Sequence, residues 1–160
     1  MRLTQHTDYA IRVLMFAASR YSREGPEALS SIREIAEAYG ISENHLMKVV
    51  HRLAQEGLLH TLRGRNGGLR LAADPARTRL GEVVRVIEDD MALVECFGSG
   101  SGCPLTAGCH LAAALHGARQ AFIDALDRHT LADLVPRARA REIIALTGRL
   151  ARPAPARGTA

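Results

Sequence analysis

The sequence predicts a mainly α fold: a winged helix-turn-helix with a short β-hairpin wing, a cysteine-rich loop and a long dimerisation helix. Three stretches predict it. Ile32–Tyr39 and Glu43–Glu56 have helical period and are joined by the tight turn Gly40-Ile41-Ser42, which is the helix-turn-helix pattern. Leu58–Leu62 and Leu69–Leu71 flank Arg63-Gly64-Arg65-Asn66-Gly67-Gly68, and Asn66-Gly67 is a strong hairpin signal. Cys96–Cys109 holds all three cysteines in a run rich in glycine and serine, without helical or strand period, and a long helical pattern follows it. The chain divides accordingly into residues 1–76 as the winged unit, 77–135 as the cysteine loop with its helices, and 136–160 as a C-terminal extension.

Residues 4–20 form the first helix, with Thr4 or Thr7 as its cap and Ala10, Val13, Leu14 and Ala17 on one face. Asp8 and Arg12 are four apart and can pair on the surface; alone, such a pair reads as a solvated salt bridge. Residues 21–29 are expected as a loop broken at Gly25-Pro26. Ser30 or Ser31 caps the next helix, with Ile32, Ile35, Ala36 and Tyr39 inward, and Gly40 ends it. Ile41 is buried in the turn. Ser42 caps the second helix of the pair, whose inner face is Leu46, Val49, Val50 and Leu53 and which Gly57 stops.

The outer residues of that second helix suit a DNA groove. Glu43, Asn44, His45 and Lys48 are polar and long enough to reach base edges, and Arg63, Arg65 and Asn66 stand at the hairpin tip. Arg52, one turn beyond Lys48, joins this set. From Asn44 to Ala73 the only acid is Glu56, against Lys48, Arg52, Arg63, Arg65 and Arg70. A winged helix used only for protein contacts is the competing reading.

After the linker 73–78, Thr78 is expected to cap a helix over residues 80–90, with Leu80, Val83, Val84 and Ile87 inward. Residues 82–95 carry five acids and one base, a solvated helix end apart from Glu88. Residues 110–128 form a long helix in which Leu111, Leu115, Ala118, Phe122 and Leu126 make one apolar stripe. Beside a helix-turn-helix, that stripe favours a two-fold dimer over a core face. Thr130 caps a short turn ended by Pro136, residues 137–150 can form one more amphipathic helix, and 151–160 reads as a disordered tail.

The cysteines are spaced C-x6-C-x5-C, unlike a paired zinc ribbon or a ferredoxin run. Soft thiolates on glycine-rich backbone suit an iron–sulfur cluster, Cu(I) or zinc, and free redox-active thiols are a further option. Spacing alone leaves these open.

Composition bounds the rest. The 160 residues fit one domain, or a small domain plus an extension, and 47% hydrophobic content suits a globular core. No apolar run is long enough to span a membrane, and no signal peptide is seen at the start. An odd cysteine count fits a reducing compartment, so a cytoplasmic protein is expected. The net charge of +4 lies in the first half: residues 1–80 carry 12 Lys+Arg against 8 Asp+Glu, and 81–160 carry 9 against 9. A polyanion is therefore expected on the first half. Only Lys48 among the 21 basic residues is lysine, a compositional bias that lowers the weight of any single arginine.

Over residues 1–135 the chain resembles the bacterial iron–sulfur winged-helix regulators. The resemblance rests on LTQHTDYAIRVL, ISENHLMKVVHRLAQEGLLHTLRGRNGGLRLA, LGEVVRVIE and three clustered cysteines before a long helix. The nearest branch is the NsrR type, nitric-oxide-sensing repressors, with the IscR type as a relative. This resemblance implies a cytoplasmic homodimer on a palindromic double-stranded DNA operator. Cys96, Cys103 and Cys109 would ligate a [4Fe-4S] cluster, preferred over [2Fe-2S]. The IscR pattern places a histidine three residues after the last cysteine, where this chain has Ala112. NsrR-type members use an oxygen ligand from the first helix, which Asp8 matches, supplied from the partner subunit; Glu95, His110 and His116 are the other candidates. Nitrosylation would release DNA and derepress nitric oxide detoxification genes, with Arg12 and Glu88 coupling the cluster to the reader.

Other classes fit less well. An IscR-like sensor of cluster supply or redox state is the alternative regulator, and a DNA-binding protein with structural zinc is another. A redox enzyme would need a nucleotide fingerprint such as G-x-G-x-x-G, and nucleophilic catalysis a G-x-S-x-G elbow; the sequence has neither. An enzyme is not expected.

Overall fold

Where caps and apolar period coincide, the helices begin and end at the residues that chemistry favours. The computed structural model describes residues 3–64, 67–94, 97 and 109–136. Helix α1, Gln5–Glu24, is capped by Thr4, whose side chain accepts from the Thr7 amide. It runs four residues past the expected end at Arg20, because no breaker intervenes before Gly25. Gly25 takes φ 97° and returns its N–H to the Tyr21 carbonyl at 2.9 Å, while Arg20 and Glu24 pair across one turn.

Helix α2, Ile32–Tyr39, starts at a reciprocal capping box between Ser31 and Glu34 and ends at Gly40 in the left-handed region, φ 64° and ψ 33°. Ile41 is buried in the turn, and Ser42 caps α3, Glu43–Gln55, by accepting from the His45 amide. Strands β1, Leu59–Leu62, and β2, Gly68–Leu71, form an antiparallel hairpin with Leu59 opposite Leu71 and Leu62 opposite Gly68. Ser30 adds a further rung, exchanging both backbone bonds with Leu69 at 2.9 and 2.8 Å, so the wing is anchored to the entry of α2.

Helix α4 spans Leu80–Ile87, α5 His110–Asp127 and α6 Leu131–Leu134. The expected Thr78 cap is corrected: Arg79 is the N-cap residue. The Thr78 carbonyl instead accepts from the Leu131 amide, and Arg79 bridges to Thr130, so the backbone stays extended one residue longer. The acidic run Glu88-Asp89-Asp90 was expected within this helix and lies outside it, with Glu88 extended at φ −83°, ψ 103°. Thr130 caps α6 as expected, through a reciprocal box with Asp133.

One cluster of buried side chains takes Val13, Leu14 and Ala17 from α1, Ile35 from α2, Leu46 and Leu53 from α3, Leu69 from β2, Val83 and Ile87 from α4, and Leu131 and Val135 from the end of the described chain. Both segments proposed from the sequence thus share one core. Helix α5 is the exception, with Ile123 as its one fully buried residue; Leu111 is 65% exposed, and Ala114, Ala118 and Ala121 face outward. Of the stripe read from the sequence, Leu126 packs against the core and Leu115 and Phe122 are half-buried, whereas Leu111 and Ala118 are exposed. Among the described residues no helix is long and apolar enough to cross a membrane. Arg65, Asn66, Glu95, Cys96, Cys103 and the expected segments 137–150 and 151–160 lie outside the described residues.

Candidate nucleic-acid interface and cysteine site

Helix α3 is held by Leu46, Val49, Val50 and Leu53, all buried. The opposite stripe is consequently free: Asn44, Lys48, His51 and Gln55 recur at four, three and four residues and are exposed, with Met47 on the flank at 49%. His51 and Gln55 were not singled out from the sequence. Their signal was present in the same period that selects Asn44 and Lys48. His45 is exposed too, and its ring lies 6.5 Å from that of Tyr9 on α1.

The arginines divide sharply. Arg63, just past β1, is exposed. Arg70 is turned to an ion pair with Glu27. Arg52 is also engaged within the protein: one terminal nitrogen donates to the Val86 carbonyl at 2.9 Å and to Asp89 Oδ1 at 3.0 Å, and Nε lies 2.9 Å from Glu56.

At the head of α1, Arg12 Nε donates to both Asp8 oxygens, at 3.1 and 3.0 Å, with each side chain nearly half exposed. The Arg12 guanidinium lies 5.8 Å from the centre of the Tyr39 ring. Burial pushes the Tyr39 hydroxyl above its ordinary range, and the nearby Arg12 charge opposes that rise. One turn earlier, buried Glu88 reaches α1 from the end of α4. Its Oε2 accepts from the Thr7 hydroxyl at 2.5 Å, the Thr4 amide at 3.1 Å and the Thr4 hydroxyl at 3.2 Å. Glu88 thus completes the N-terminal cap of a helix whose bonded residues lie 81 and 84 positions away in sequence, where the helix dipole favours an anion. A partner that remote leaves no local signal.

Cys109, a free and partly buried thiol, occupies the N-cap position of α5. Phe97, the neighbour of Cys96, packs on His116 of α5 with ring centres 4.7 Å apart, and the Arg119 guanidinium lies 5.6 Å from the Phe97 ring. His110 and His116 are exposed. Among the described residues no three His, Cys, Asp or Glu side chains converge as a metal site. Asp8 pairs with Arg12 of its own helix.

Comparisons with known proteins agree with this arrangement. The sequence matches the Rrf2 family, described as iron-dependent transcriptional regulator, over residues 3–137. It is 49% identical over 136 residues to the HTH-type transcriptional regulator NsrR of Bacillus subtilis, covering 84% of this chain and 90% of that one. It is 48% identical to NsrR of Geobacillus kaustophilus, with 84% and 90% covered. Among solved structures, T. potens IscR superposes with a TM-score of 0.65 at 25% identity, covering 86% of this chain and 88% of that one. CymR (YrzC), the global cysteine regulator of B. subtilis, superposes at 0.63 with 28% identity, covering 84% and 95%. These relatives are regulators of transcription, not enzymes, and the fold is their winged helix. A reading helix with a free polar stripe, an exposed Arg63 beside the hairpin and a family match across the described chain place this DNA-binding transcriptional regulator in the Rrf2 family, among its NsrR-type members.

Proposed function

We propose that the protein is a homodimeric repressor that releases its operator when an iron–sulfur cluster it carries meets nitric oxide. The cluster ligands in this reading are Cys96, Cys103 and Cys109 with the partner subunit's Asp8, and [4Fe-4S] is preferred over [2Fe-2S]. The donor chemistry fits. Three thiols suit a cluster, Cys109 is free, and a carboxylate is a hard donor that soft iron–sulfur centres hold weakly. Bound there, the cluster supplies the reactivity toward nitric oxide.

The observation that carries the reading is the state of Asp8. Its carboxylate is half exposed and held only by a one-turn ion pair with Arg12, a contact worth about 0.3–0.5 kcal/mol. It is therefore available to a neighbouring subunit. When released it closes again on Arg12. That turn of α1 also bears the Arg12–Tyr39 and Tyr9–His45 contacts, so its position is felt by α2 and by the start of the reading helix. Glu88 holds the same turn from the α4 side.

Asn44, His45 and Lys48 are the proposed groove contacts, with Arg63, Arg65 and Asn66 on the wing. The outward face of α5, with Leu111, Ala114, Ala118 and Ala121, supports pairing with a second copy, since small residues let two helices approach closely. A dimer must seat both reading helices in half-sites about 34–36 Å apart, so a small rotation of either costs much of the affinity.

The test is anaerobic purification with iron, sulfide and zinc analysis, followed by operator titration before and after nitric oxide. Iron and sulfide in cluster stoichiometry, with DNA binding lost after nitric oxide, is the expected result. Zinc, or affinity that survives complete nitrosylation, would overturn the sensor reading, and a response only to cluster loss would favour an IscR-like regulator. Asp8→Ala is expected to keep the three-thiol site while shifting the spectrum.

A further inference from the structure

We propose that Arg52 is a positioning residue that braces the recognition helix against the end of α4, rather than a contact to DNA phosphate. This deepens the sensor reading and rests on it. Arg52 stands on the flank of α3, and one terminal nitrogen of its guanidinium is committed within the protein. One prong satisfies the Val86 carbonyl, in the last turn of α4, where a helix leaves its carbonyls without internal partners and a cation is favoured. The same nitrogen takes Asp89, and the Glu56 carboxylate lies beside Nε as an ion-pair neighbour.

The end of α4 is in turn a junction. Arg85 pairs with Asp127 of α5, Glu88 holds Thr4 and Thr7 of α1, and Val86 with Asp89 holds α3. Cys96 follows Glu88 by eight positions. A displacement of the cysteine segment therefore has a short covalent route to the α4 end. Arg52 is the charged link from there to the reading helix, one terminal nitrogen holding a carbonyl and a carboxylate together.

The test uses full-length protein and a DNA duplex selected from a randomised pool by the wild type. Binding is titrated over a series of salt concentrations, for cluster-loaded and nitric-oxide-treated protein. Amide hydrogen exchange of residues 86–89 is followed on cluster-free protein. For Arg52→Ala the expected result is an unchanged salt dependence and faster exchange at the α4 end. The affinity ratio between the two states should fall on the order of tenfold. Arg52→Lys should fail to restore the ratio, since the lysine nitrogen stops one bond short of the terminal guanidinium nitrogen that makes both contacts. Asp89→Asn, at a position 80% exposed and so without risk to folding, should lower the ratio in the same direction.

A phosphate contact behaves differently: its loss lowers the salt slope by about 0.9 per subunit and leaves the ratio alone, and lysine rescues it. That pattern, or an unchanged ratio in Asp89→Asn as well as Arg52→Ala, overturns the brace. A wild type whose affinity ignores nitric oxide overturns the sensor reading instead. The brace itself then stands or falls on the amide exchange.

Discussion

Replacing Glu88 with alanine removes a buried carboxylate and strands the hydroxyl it serves. Three donors converge on Glu88 Oε2, but they are not equal. Thr4 is exposed, so its amide and hydroxyl return to water when the carboxylate is lost. Thr7 is 0% exposed, and its hydroxyl, 2.5 Å from Oε2, would keep only the Thr4 hydroxyl at 3.1 Å as a neighbour. A hydrogen bond to a charged group is worth about 1.5–3 kcal/mol, and the anion adds about 0.3–1 kcal/mol at the α1 N-terminus. Glu88→Ala should therefore cost about 2–3 kcal/mol, which for a chain of this size lowers Tm by about 4–12 °C. Glu88→Gln keeps the volume and an acceptor and should cost about 1 kcal/mol.

The assay is urea and thermal unfolding followed by circular dichroism, in a double-mutant cycle with Thr7→Val. With Glu88 present, Thr7→Val removes a hydroxyl bonded to a carboxylate; with Glu88→Ala it removes one left with only the Thr4 hydroxyl and should cost much less. The two changes should miss additivity by more than 1 kcal/mol. Additivity within about 0.5 kcal/mol would refute the reasoning, because independent sites behave that way.

Other outcomes follow from the same structure. Lys48→Ala should weaken DNA binding across all sequences and reduce the salt slope by about 0.9 per subunit, whereas Asn44→Ala should relax preference at a single base position with the slope intact; competition titrations distinguish them. Gly81→Ala should destabilise the protein by about 1–3 kcal/mol, although helix propensity alone favours alanine by about 1 kcal/mol. A Cβ there would sit 3.0 Å from the Ile123 carbonyl and against the Asp127 carboxylate, and a thermal melt decides the sign. Glu34→Gln tests the α2 capping box. Burial pushes the Glu34 carboxyl up, but the Ser31 amide at 2.7 Å, the Arg20 charge and the Ser31 hydroxyl together carry it below its ordinary 4.5. A depressed folded value means the stabilisation is complete above pH 4.5 and disappears as pH falls through the lower folded value. The gap in Tm between wild type and Glu34→Gln should therefore be full at pH 7 and close in acid.

What the sequence determined by itself is whatever depends on neighbours within a turn or two. Ser31, Ser42 and Thr130 cap because a side-chain oxygen can reach an amide three residues on, and Gly40 ends α2 because only glycine enters the left-handed region freely. The inner faces of α1, α3 and α4 were legible because helical period alone assigns them. So was the Asp8–Arg12 pair, a four-residue spacing.

Tertiary structure decided what depends on elements distant in sequence. Arg52 looks like any basic residue on a reading helix until α4 delivers the Val86 carbonyl and Asp89 to it. Thr78 looks like a cap until the α6 backbone claims its carbonyl. The Leu111–Leu126 stripe has the period of a core face, yet only packing could show that Leu126 meets the core while Leu111 and Ala118 stay exposed. Glu88 reads as one acid in an acidic run, and only the fold brings the head of α1 to it. Local chemistry chooses where a helix starts and which face is apolar, because those interactions span at most a turn. Which charge finds which partner is set by the approach of helices across the core, and no short stretch of sequence contains both halves of that contact.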